Sequence, residues 1–140
     1  MEVWELQQRI RVLKERRKEY QNDIIKLKSR RERIKSEQNR KNRQKLHIAN
    51  YYSKNRTNAS ILGVDIQGNA VHMVLGEYSE IFGTMKEENV FSSLEMVQYY
   101  LKKNEENIND KIEFAESNIV SIDRDIYCYK KQLIEMEREV

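Results

Sequence analysis

The sequence predicts an all-α protein: a long antiparallel helical hairpin of coiled-coil character, with a short helical insert at its tip. Three observations carry this. First, 140 residues include no proline and only 4 glycines, while 35% are charged, a composition of long helices rather than turns. Second, two stretches repeat apolar residues at alternating steps of three and four, the period of a coiled-coil seam. Third, those stretches are nearly equal in length and opposite in net charge. A hydrophobic fraction of 39% suits narrow seams rather than a thick core, and the length suits a single domain, residues 1–140.

The first helix is expected over about residues 3–52. Val3, Ile10, Arg17, Ile24 and Arg31 take the a positions of its heptads. Leu6, Leu13, Tyr20, Leu27 and Ile34 take the d positions. Beyond Ile34 the seam thins, because Gln38, Lys41 and Lys45 fall on a and d before Leu46 and Ile48 restore some apolarity. Arg17 and Arg31 have two ways to sit on a seam. They can snorkel, with packed stems and wet guanidinium groups, or pair with a carboxylate of a facing helix. Snorkelling is the expectation.

Residues 53–91 form the expected insert. Ser53 to Ser60 is polar and poor in helix formers, so it reads as a helix end or loop. Ile61 to Met85 is the most apolar part of the chain and holds all four glycines. Ile66, Ala70, Val74 and Tyr78 recur every four residues, which predicts a short amphipathic helix over 69–82, with Gly83 placed to end it. Ile61 to Ile66 and Val71 to Leu75 also admit a strand reading through their β-branched residues. Their shortness and lack of alternation favour the helix. Lys86 to Asn89 is a charged connector.

The second helix is expected over 92–140, opened by the capping-box spacing of Ser92 and Glu95. Its stripe runs Leu94, Val97, Leu101, Asn104, Ile108, Ile112, Ala115, Ile119, Ile122, Ile126, Tyr129, Leu133, Met136, Val140. The alternation breaks once, between Asn104 and Ile112.

Charge decides how the two helices pair. Residues 1–58 hold 18 Lys and Arg against 7 Asp and Glu, a balance of +11. Residues 59–140 hold 8 against 16, a balance of −8, and together they give the net +3. A parallel homodimer through the first helix would set Arg17 against Arg17 and +11 against +11. An intrachain hairpin avoids both, and leaves a dimer of hairpins open.

No enzymatic constellation is present, and no catalytic residue, cofactor or metal is expected. Cys128 is the one cysteine, which excludes an internal disulfide and a cysteine zinc site. His47 and His72 lack ligand-spaced partners. Gly63 and Gly68 open no phosphate loop, and no serine sits in a nucleophile elbow. No apolar run approaches a membrane span and the N-terminus lacks a signal-peptide pattern, so a cytoplasmic location is expected, with co-secretion alongside a partner as the alternative. Lys26 to Lys45 packs ten Lys and Arg into twenty residues. Such a run can neutralise phosphates, but it follows the zipper-like seam instead of preceding it and contains no aromatics. A solvated face or an acidic protein partner is the expectation there, with nucleic acid the lesser reading.

What the sequence does offer is surplus apolar surface. Neighbouring aromatics in the pairs Tyr51–Tyr52 and Tyr99–Tyr100 cannot share one narrow face, so one of each pair is left for solvent or another chain. Trp4 flanks the seam. Leu62, Val71, Leu75, Phe82 and Phe91 add more apolar surface than a two-helix seam hides.

A long helix, a central element Ile66-Gln67-Gly68-Asn69-Ala70 running on to Tyr78, and a second long helix resemble the small helical proteins encoded beside LXG toxins of Gram-positive type VII (ESX) secretion. These belong to the wider group of WXG-type helical hairpins. Ile66-Gln67-Gly68 stands at the Trp-x-Gly turn, Ala70 at the small residue and Tyr78 at the later aromatic. The chain departs from the pattern in three ways. Ile66 replaces the tryptophan, the chain exceeds the hundred-residue type, and the C-terminal export signal is missing, since Lys131 follows Tyr127 at four residues and Leu133 follows Tyr129. The resemblance implies an adaptor or targeting chaperone that binds the helical domain of an LXG-type toxin, with the export signal supplied by a partner such as a second small helical protein. The candidate partner-binding residues are then Ile66, Gly68, Val71, Leu75, Tyr78, Phe82 and Phe91. A general coiled-coil scaffold, or a prefoldin-like chaperone subunit, is the alternative.

Overall fold

The computed structural model describes residues 2–65, 76–77 and 84–139. Two long helices pack against each other as an antiparallel hairpin: α1, Val3–Asp65, and α2, Thr84–Arg138. No strand occurs among the described residues. The chain divides into two compact units, each built from a segment of both helices. The first comprises Met1–Arg33 and Asn104–Val140, the second Ile34–Lys103.

The first unit holds the apolar seam. Leu6, Ile10, Ile112, Ala115, Ile122 and Ile126 are the buried hydrophobic side chains, all at 8% exposure or less. Ile10, Ile122 and Ile126 form one cluster, with Leu13, Tyr20, Tyr129 and Leu133 packed against it. Each such aliphatic side chain, taken out of water, contributes on the order of 1.5–3 kcal/mol. That contribution exists only because the three-four spacing keeps the stripe on one face of each helix.

The second unit keeps the same heptad register with polar residues. Along α1, Ile34, Gln38, Lys41, Lys45, Ile48, Tyr52 and Asn55 are all half-buried at the alternating step. No described residue of this unit is fully buried. Gln98 reaches across to donate to Asn42 Oδ1 at 2.6 Å, and Lys45 Nζ lies 3.2 Å from Glu95 Oε1.

Two expected boundaries move. α1 does not stop near residue 52 but continues through Ser53 to Asp65. The polar side chains that suggest a loop bond back onto the helix instead: Asn55 donates to the Tyr51 carbonyl at 2.8 Å and Thr57 to the Ser53 carbonyl at 3.0 Å. Once a helix is nucleated, adding a mediocre former costs only about 0.5 kcal/mol, and the Arg56–Glu87 ion pair ties this stretch to α2. α2 likewise starts at Thr84 rather than at 92. Ser92, expected as the cap, lies inside the helix, as does Ser93, whose hydroxyl donates to the Asn89 carbonyl at 3.1 Å. The short helix expected over 69–82 lies outside the described residues except for Gly76 and Glu77, which are helical and exposed.

The seam of α2 also differs by two residues. Val97 is 41% exposed and Asn104 is exposed, while Gln98 and Glu105 are half-buried. From Phe91 the seam therefore runs 91, 94, 98, 101, 105, 108, 112 and onward with no break in the alternation. Val97 and Asn104 each lie one position before the seam, and the break they suggest is absent from the helix.

Candidate partner-binding surface

The heptad register assigns every residue to a flank. In an antiparallel two-helix coil, the e and b positions of both helices share one side, and g and c share the other. The cross-helix contacts agree with this assignment. In the first unit Arg17 Nε donates to Asp123 Oδ1 at 2.6 Å, and Arg31 donates to Asn109 Oδ1 at 3.2 Å. Each joins an a-position cation of α1 to an e-position acceptor of α2. Both seam arginines are thus partnered across the interface rather than simply snorkelling, which corrects the expectation for them. Their partners become visible only when α1 and α2 are set in register. The Arg31 Nε atom is buried and, among the described residues, has no hydrogen-bond partner.

On the g and c side of the first unit, two shallow grooves open beside the seam. One, of about 300 Å³, is lined by Tyr20, Asp23, Lys26, Leu27, Arg30, Lys111, Phe114 and Ala115. The other, of about 320 Å³, is lined by Gln8, Arg9, Val12, Leu13, Asp125 and Tyr129. Arg9 donates to the Tyr129 hydroxyl at 3.2 Å and its guanidinium carbon lies 5.8 Å from that ring's centroid, which closes the inner wall of the second groove. Phe114, 66% exposed, and Val12, 49% exposed, stand at the two rims.

On the e and b side of the same unit, Trp4 and Ile25 project from α1, and Val120, Tyr127 and Ile134 from α2. Each is 50% exposed or more. The sequence signal for Val120, Tyr127 and Ile134 was available as a seven-residue repeat one position beyond the a residues, and it is easily overlooked beside the stronger seam.

The second unit exposes aromatics of its own. The Tyr51 and Tyr52 rings meet edge to face at 5.9 Å, with Tyr51 outward and Tyr52 half-buried. Tyr99 and Tyr100 make a similar pair at 5.7 Å, but both are outward, at 57% and 61% exposure. Of the candidate binding residues named from sequence, Phe91 is half-buried in α2 with Lys45 Nζ 5.9 Å from its ring centroid. Ile66, Gly68, Val71, Leu75, Tyr78 and Phe82 lie outside the described residues. In the basic run, Arg31, Lys41 and Lys45 are half-buried and engaged with Asn109, Gln44 and Glu95, while the other seven cations are exposed.

Among the described residues there is no cluster of three or more His, Cys, Asp or Glu placed to hold a metal ion. No described helix is long and apolar enough to cross a membrane. Cys128 is a free, exposed thiol. The chain thus belongs structurally with all-α helical hairpins of coiled-coil type. Comparison with protein-family models, curated proteins and solved structures found no match.

Proposed function

We propose that the chain is a non-enzymatic helical adaptor that binds a helical domain of another protein. The observation that supports this reading is the mismatch between buried and exposed apolar surface. Among the described residues six hydrophobic side chains are buried, while fourteen large ones stay exposed. They are arranged along helix flanks and beside apolar grooves, where another helix can lay its own stripe. The resemblance to proteins encoded beside LXG toxins makes the helical domain of such a toxin, bound for type VII secretion, the partner to test first.

The test is reconstitution. The chain and the helical domain of a genomically neighbouring LXG toxin are co-expressed, purified and examined by size exclusion. A stoichiometric complex, lost when Phe114 and Val12 are both replaced by Asp, supports the reading. Two components that elute separately at micromolar concentration refute it. The exposed cations of Lys26 to Lys45 favour a second reading, association with nucleic acid. A gel shift at low salt that weakens steeply as salt rises is its signature.

A further inference from the structure

The e and b flank of the first unit carries charge in a pattern the adaptor reading does not use. On α1 the exposed charged residues of this flank are Arg11, Lys14, Lys18, Lys28 and Glu32. On α2 they are Glu106, Glu113, Glu116, Asp123, Lys130 and Glu137. The α1 half of the flank is therefore mainly basic and the α2 half mainly acidic, with Trp4 beside the first and Ile134 beside the second. The opposite flank shows no such division, since α1 there mixes Glu5, Glu19 and Asp23 with its cations.

A surface split into a positive and a negative stripe is complementary to itself, provided that symmetry sets unlike stripes together. We propose that two copies of this chain pair face to face along this flank, with the two-fold axis parallel to the helices. α1 of each copy then lies across α2 of the other. A two-fold axis perpendicular to the helices in the plane of the interface would instead set α1 on α1 and basic on basic. The arrangement along the helices also preserves axial level. Within the hairpin, Arg17 lies opposite Asp123 and Arg31 opposite Asn109. At that register Trp4 meets Ile134 and Glu137 of the other copy. Lys14 and Lys18 fall level with the second Asp123, and Lys28 level with the second Glu113 and Glu116; these outnumber the two like-charge levels, Arg11 with the second Lys130 and Glu32 with the second Glu106. The lysine stems cover Val120 and Tyr127 while their ammonium groups reach the carboxylates.

The contact is large enough. About 31 residues of α1 rise roughly 45 Å, and two helices side by side span about 20 Å. The face is therefore on the order of 900 Å² per partner, comparable with the ~800 Å² of a standard stable interface. The g and c grooves stay open in the pair, so this assembly stands independently of the adaptor reading.

Sedimentation of the full chain tests it. The wild type is expected at twice its 16.9 kDa at micromolar concentration and low salt. A variant with Lys14, Lys18 and Lys28 changed to Glu has two acidic stripes. Another with Glu113, Glu116 and Glu137 changed to Lys has two basic stripes. Each alone is expected at monomer mass, with helical circular dichroism intact, and an equimolar mixture returns to the doubled mass. A wild type that remains monomeric at a hundred micromolar overturns the proposal, as does a mixture that stays monomeric. Should either variant lose its helicity, Trp4→Cys with Ile134→Cys in a Cys128→Ser background replaces it. Oxidation is expected to yield a covalent dimer, and its absence refutes the pairing.

Discussion

Replacing Ile122 with alanine measures how much of the fold rests on the first unit's seam. Ile122 is 6% exposed and belongs to the cluster with Ile10 and Ile126. The change deletes three buried carbons at about 0.8 kcal/mol each, or roughly 2.4 kcal/mol. A residual cavity raises the loss toward 3 kcal/mol, and the better helix propensity of alanine returns about 0.4 kcal/mol. A net loss of about 2–2.6 kcal/mol lowers Tm by on the order of 8 °C for a chain of this size. Leu46→Ala is the control. It removes similar atoms from a side chain that is 67% exposed and should stay within about 0.5 kcal/mol of wild type. Urea titration followed by circular dichroism, at one fixed protein concentration, gives both values. The reasoning fails if the two substitutions cost the same.

Three further outcomes follow from the polar parts of the interface. Arg31→Leu should raise stability by about 1 kcal/mol, because it removes a buried donor without a partner and supplies an apolar seam residue in its place; urea unfolding reads this, and a loss of stability would contradict it. In native-state hydrogen exchange, the backbone amides of residues 3–33 and 104–138 should exchange more slowly than those of 34–58 and 86–103, since buried apolar side chains are confined to the former. Thr57→Pro should cost about 3 kcal/mol and lower helicity, as expected inside a helix but not in a loop; an unchanged circular dichroism spectrum would restore the loop that the sequence suggests.

The seam from Val3 to Ile34 and the one from Ile112 to Met136 were legible because apolar side chains at the right spacing leave a helix few other ways to pack. The same rule misled where the seam turns polar. Gln98 and Glu105 sit on the register while the more hydrophobic Val97 sits beside it, because register is set by the whole helix and not by the local choice of side chain. Helix ends were hidden for a related reason. Ser53 to Ser60 has weak intrinsic propensity, and only the side-chain bonds back to Tyr51 and Ser53, together with Arg56 meeting Glu87, show why it continues. The pairing of Arg17 and Arg31 depends on which residue of a distant segment arrives opposite, and no local pattern encodes that. For the binding surface, the surplus of apolar residues was evident, and so was the outward placement of one member of the Tyr51–Tyr52 pair. Val120, Tyr127 and Ile134 recur every seven residues in the sequence, but their sharing a flank with Trp4 and Ile25, and the two grooves, emerge only once both helices share a frame.

Four cross-helix pairs, Arg17 with Asp123, Arg31 with Asn109, Lys45 with Glu95 and Asn42 with Gln98, have residue numbers that add to the same value. An apolar heptad seam by itself tolerates sliding by seven residues, since a and d positions repeat. Moved one heptad one way, Arg17 confronts Lys130 and Lys45 confronts Lys102 while Arg31 meets Glu116; moved the other way, Arg31 confronts Lys102 while Arg17 meets Glu116 and Lys45 meets Glu88. The observed register is the one of these three in which no seam cation faces another cation. Three cations spaced fourteen residues apart thus mark the register: a one-heptad slip keeps the apolar stripe continuous but sets at least one of them against a lysine.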